Sequence, residues 1–208
     1  MHRHFITIST ALVLMLTGIV SAAEARTQHN HCKGAGTFVN GEETHIDTNG
    51  DGQSAGVDQG LVNCRSDSGV PFNNTRFLFQ EEAEWILRPV TTCPVGTSEE
   101  LYIDPTHGQH RAVVTDEKTG DQLFGQITSA TFCVNFATLP ITFTSSAQGE
   151  NIGGTGKYTG ATGSFESHST GSYLIFGFKD GVFGGFGHFN FTNDGTLTLP
   201  NDHSDHEE

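Results

Sequence analysis

Tyr173-Leu174-Ile175-Phe176-Gly177-Phe178-Lys179-Asp180-Gly181-Val182-Phe183-Gly184-Gly185-Phe186-Gly187-His188-Phe189-Asn190-Phe191 is the stretch that decides how this chain folds. Two runs of strand-forming residues, Tyr173 to Phe178 and Val182 to Phe191, flank Lys179-Asp180-Gly181, the signature of an antiparallel hairpin. In the second run Phe183, Phe189 and Phe191 fall on one face, and His188 with Asn190 on the other. The face richer in Phe should be buried, which leaves His188 outside. The same period of two places Phe132, Val134 and Phe136 on one face of an earlier strand, and Ile141 with Phe143 on one face of the next. Thr119-Gly120-Asp121 and Asn193-Asp194-Gly195 are further turn signals. Helical periodicity is nearly absent, with Gln80 to Trp85 the one candidate.

An all-β fold follows, and the composition narrows it. The 16 Phe and 26 Gly, against 2 Met, suit a small, strongly bent sheet: Phe fills the interior, while Gly permits bulges and sharp curvature. A two-sheet sandwich is the alternative. Closure into a barrel is favoured because Phe-rich, Lys-poor strands with open edges would associate with one another. Residues 26–200 are expected to form this one domain, and the acidic, His-bearing segment 201–208 a disordered tail.

Before that domain, His2, Arg3 and His4 precede an apolar run from Ala11 to Val20 and then Ala23-Glu24-Ala25, the order of a cleaved signal peptide spanning 1–25. Cleavage is placed near Ala25, with Ala23 the rival, and the product is expected to be secreted or periplasmic. No other segment is long and apolar enough to cross a membrane, so no stable membrane anchor is expected. Cys32, Cys64, Cys93 and Cys133 are an even set without C-x-x-C spacing, which in an oxidising compartment predicts two disulfides in any of three connectivities. A net charge of −14 repels phosphate backbones and anionic head groups, so nucleic acid is excluded as a partner; cationic partners and metal ions stay open.

Gly153-Gly154-Thr155-Gly156-Lys157-Tyr158-Thr159-Gly160-Ala161-Thr162-Gly163-Ser164-Phe165 resembles the signature near the last strands of the allene oxide cyclase and dirigent barrel family, and Asp47 to Asp58 followed by Leu61 to Cys64 looks like its Gly-rich acidic loop before an early strand. The resemblance covers about Thr37 to Leu199 and implies an eight-stranded antiparallel barrel. Glycines at this density would let the chain turn tightly and carry Tyr158 and Phe165 into the barrel. The family holds cyclases of oxidised lipids, non-enzymatic guides of radical coupling and exported proteins without known activity, so its fold does not convert into a function. Where the dirigent motif ends in Ala-Arg-Gly this chain has Ala161-Thr162-Gly163, and no catalytic residue is carried over from the cyclases.

Among motifs that could carry chemistry, Asp47, Asn49, Asp51, Gln53 and Asp58 stand at the ligand spacing of a twelve-residue Ca²⁺ loop with Gly52 at the sixth position. Asp58 in place of Glu, Ser54 in place of an aliphatic, and the lack of flanking helices set against it an ordinary acidic turn. Gly52-Gln53-Ser54-Ala55-Gly56 matches the nucleophile-elbow spelling but lacks the strand-to-helix context that makes the serine reactive. His107 and His110, with Asp104 and Asp116, could begin a zinc or copper site or be polar loop residues. His203 and His206 in the tail would hold metal only loosely. Glu81, Glu82 and Glu84 beside Trp85 suggest either paired acid–base carboxylates or a solvated face. Three functions follow: non-catalytic binding of a small apolar ligand or a surface role, isomerisation or cyclisation of an oxidised lipid, and calcium-dependent interaction.

Overall fold

A computed structural model describes residues 25–46, 55–66, 75–83, 85–106, 110–179 and 182–200, with the backbone alone at 40–46, 55–59, 64–66, 75, 82, 175–179 and 182–184. Its strands are β1 (Arg26–Ile46), β2 (Ala55–Ser66), β3 (Thr75–Ala83), β4 (Ile86–Arg88), β5 (Glu99–Tyr102), β6 (Arg111–Asp116), β7 (Gln122–Asn135), β8 (Ile141–Gly154), β9 (Thr162–Lys179) and β10 (Val182–Leu199). One turn of 3₁₀ helix, Gly156–Tyr158, separates β8 from β9.

Every pairing is antiparallel. β4 continues β3 and pairs with β5, while β6 continues β5 and pairs with β3, so these four segments make two interrupted walls. β7 lays one edge along β6 and β5 and the other along β8, and β10 closes on β1 with Arg26 opposite Leu199. The result is a closed eight-stranded antiparallel barrel in which sequence neighbours are spatial neighbours. Closure gives every wall two partners, which removes the edges that would otherwise template association. Among the described residues no helix is long and apolar enough to cross a membrane.

The hairpin of the opening stretch is present, with Val182 opposite Lys179. Two sequence expectations are corrected. Asn193-Asp194-Gly195 is no turn: it lies inside β10, where Asn193 faces the interior, the outward Asp194 pairs with His31 of β1, and Gly195 leaves room for the Ser164 carbonyl. Gln80 to Ala83 is strand, not helix, because β2 and β6 supply ladder partners on both sides.

Inward and outward side chains alternate along β7 until a bulge between Ile127 and Ser129 shifts the phase. Leu123 and Ile127 face inward before it, Ala130, Phe132 and Val134 after it. One end of the barrel is plugged by the Gly-rich segment, whose Tyr158 is 1% exposed and packs with Cys32, Phe77, Leu123, Ala161 and Leu197. Gly156 (φ 53°) and Gly163 (φ 132°) adopt backbone that favours glycine, and a methyl on either would overlap Asp121 or the Thr196 carbonyl. The other end is aromatic: Phe38, Phe132, Phe143, Tyr173 and Phe189 gather there.

Candidate functional site

Between the plug and the aromatic end lies a lumen of about 450 Å³, inside the range of roughly 300–1,000 Å³ that holds small organic ligands. Phe132 and Phe143 stack with centroids 5.0 Å apart, Phe38 meets Phe143 edge-on at 5.7 Å, and Phe79 meets Phe189 at 6.0 Å. Trp85, the single Trp of the chain, packs on Phe132 at 5.8 Å and lines the same space.

The two sides of the lumen differ because the inward positions of different strands carry different chemistry. On β2, β3, β6 and β7 they are largely apolar, with Val62, Phe77, Phe79, Val114 and Leu123. On β8, β9, β10 and β1 they include a polar patch fixed by register: Ser145 lies opposite Ser169, Ser167 opposite Asn193, and Asn193 opposite Cys32, two residues from Asn30. Ser145 Oγ and Ser169 Oγ are 2.6 Å apart and share a hydrogen bond. Asn30 is buried, and its Oδ1 has no hydrogen-bond partner among the described residues. Glu81 on β3 and Glu99 on β5 also line the lumen, so carboxylates reach it as well.

A buried carboxylate lies at the aromatic end. Glu100 is fully buried: Oε2 accepts the backbone N–H groups of Thr91, Thr92 and Cys93 at 2.7, 2.9 and 3.2 Å, and Oε1 accepts Thr92 Oγ1 at 2.7 Å and Arg88 at 2.6 Å. Burial pushes this carboxyl up, yet the Thr92 hydroxyl, the amides and Arg88 outweigh it and hold the pKa well below the usual carboxylate range. The Cys93–Cys133 disulfide ties the same loop to β7. This arrangement anchors the loop and leaves the carboxylate no free lone pair for catalysis.

At the plugged end Lys157 donates to Asp116 Oδ2 at 2.6 Å, and the Lys118 amide donates to Asp116 Oδ1 at 2.8 Å. Burial raises the Asp116 carboxyl, but these donors bring it below its ordinary value; Lys157 is held above its own, since the Asp116 contact outweighs burial. Thr155 exchanges two further bonds with Gln122, so the plug is locked to the β6–β7 turn.

The residues singled out in the sequence fare differently. Phe189 and Phe191 face the lumen and His188 is exposed, as the Phe-rich face required. Of the acidic group, Glu81 lines the lumen beside Trp85 on the continuing wall; the Glu82 side chain and Glu84 lie outside the described residues. His110 is buried with Nε2 3.2 Å from the Asp104 carbonyl oxygen, while Asp116 is engaged by Lys157 at the plug, and among the described residues no three His, Cys, Asp or Glu gather to hold a metal ion. His107, His203 and His206 lie outside the described residues. So do Asp47, Asn49, Asp51 and Gln53 of the calcium-type loop and the Asp58 side chain. Ala55 and Gly56 of the elbow-like motif open strand β2, which is not the strand-to-helix turn a nucleophile elbow needs.

Sequence reasoning passed over Asn30, Asn193 and Glu100. Parity with Phe189 and Phe191 is the signal that could have placed Asn193 inside, and parity with Cys32 the signal for Asn30. No family model, curated protein or solved structure matches this chain.

Proposed function

We propose that this is an exported barrel that binds a small, mainly apolar ligand in its lumen without transforming it. The observation that carries the proposal is the space of about 450 Å³ inside the barrel, walled by phenylalanines and Trp85: an interior packed for stability alone leaves few voids larger than a water molecule. Export is supported by the Cys93–Cys133 disulfide and by β1 beginning at Arg26, so that a cut after Ala25 leaves the strand whole. Sequencing the N-terminus of the secreted protein tests this, and a chain still beginning at Met1 refutes it.

The binding test uses Nile red, a neutral dye, with Trp85 as donor for energy transfer. Saturable binding with quenched Trp85 emission is expected, together with at least a tenfold loss in Ala147→Phe, which adds a ring to the lumen wall. An absence of saturable binding, or equal binding in the filled variant, rejects the proposal.

Glu81 favours a second reading, in which the lumen isomerises or cyclises an oxidised lipid, as the family resemblance implies. A carboxylate beside an apolar substrate could hold or withdraw a proton while Phe and Trp85 fix the chain's fold. Chiral product formed from an epoxidised lipid, and lost in Glu81→Gln, would establish it; a product mixture identical to that formed in buffer dismisses it.

A further inference from the structure

We propose that the lumen selects a neutral amphiphile, its hydroxyl seated on the polar patch of β8–β10 and β1 and its apolar body against the phenylalanines. The inference rests on the lumen-binding reading above and names the chemistry of the head group.

Three observations carry it. First, the polar patch contains only uncharged groups: Ser145, Ser167, Ser169, Asn193 and Asn30 present hydroxyls and amides at adjacent register positions. Second, Asn30 is 9% exposed, faces the lumen, and leaves Oδ1 without a partner among the described residues. A buried acceptor in that condition calls for a donor, and a hydroxyl supplies one while its own oxygen accepts from a neighbouring serine or amide. Third, the described lining residues include no Lys, Arg or His, whereas Glu81 and Glu99 are both acids. An anionic head would therefore be desolvated without a counter-charge, inside a chain of net charge −14. A cationic head would be drawn to Glu81, which stands on β3 in the other wall and not beside the unpartnered amide oxygen.

The test compares 1-decanol, decanoate and decylammonium at pH 7.5, each below its aggregation concentration, titrated into the mature protein and followed by Trp85 emission. Binding of 1-decanol at least tenfold tighter than either ion is expected. Asn30→Leu, which keeps the branched heavy-atom shape and deletes the amide, should weaken 1-decanol roughly tenfold, the worth of one hydrogen bond. Decanoate or decylammonium binding as tightly as 1-decanol overturns the inference, as does an Asn30→Leu variant that binds 1-decanol undiminished. In either case intact Nile red binding leaves the lumen reading standing; loss of all binding in the wild-type protein removes both.

Discussion

Where Tyr158 is seated, the barrel wall closes on itself: glycines let backbone meet backbone, side chains interdigitate, and Lys157 with Asp116 locks the turn from outside. Where Phe38, Phe132, Phe143 and Phe189 gather, the rings touch in stacked, tilted and edge-on pairs around an open space. The difference separates two uses of the same wall. Tight complementarity at the plug supplies stability, whereas the aromatic end gives up packing for a surface that an apolar guest can complete.

Truncation at each end should expose that division most sharply. Tyr158→Ala leaves a void in a fully packed cluster and should cost about 4 kcal/mol of stability, read as a lowered denaturation midpoint with unchanged slope. Phe189→Ala removes a ring that already borders empty space, so about 1–2 kcal/mol is expected, with a larger penalty on Nile red affinity. Equal stability losses at the two sites would erase the distinction.

Next in size, Glu100→Gln tests whether the aromatic end has a rigid frame beneath its loose interior. The neutral amide turns an N–H toward the amides of Thr91 to Cys93 and loses the charge opposite Arg88. The thermal midpoint should fall by roughly 6 °C, and hydrogen exchange should quicken in residues 89–98. If exchange there is unaltered, the disulfide alone holds the loop.

The division between the ends was only partly legible in the sequence. Period-two phenylalanines such as Phe132, Phe143, Phe189 and Phe191 declare their face because alternation is local. The interior placement of Asn193 was masked by Asp194 and Gly195, which spell a turn; in the fold that glycine serves a close strand approach, a demand set by the neighbouring strand and invisible from within β10. The bulge between Ile127 and Ser129, which rephases β7, likewise depends on how β8 pairs. Glu100 needed a loop folded back over it before its partners existed. The Gly-rich segment was legible as a tight turn carrying Tyr158 and Phe165 inward, but its lock to Asp116 joins residues 41 apart in the chain.

That lock provides the smallest effect and the most specific one. Asp116 is held below its ordinary pKa in the folded chain, so its contribution is complete above the unfolded value near 3.9 and is lost as pH falls through the lower folded value. Lys157 is raised, so its share is complete below the unfolded value near 10.4 and is lost as pH climbs through the folded one. Because the ammonium is 40% exposed, solvent screening limits the pair to about 1 kcal/mol. Asp116→Asn should therefore lower stability by that amount between pH 5 and 8 and converge with wild type under strong acid, as followed by urea unfolding at each pH. A constant gap maintained down to pH 2 would assign the loss to packing, and the plug would then be held by Tyr158 and its glycines without an ionic lock.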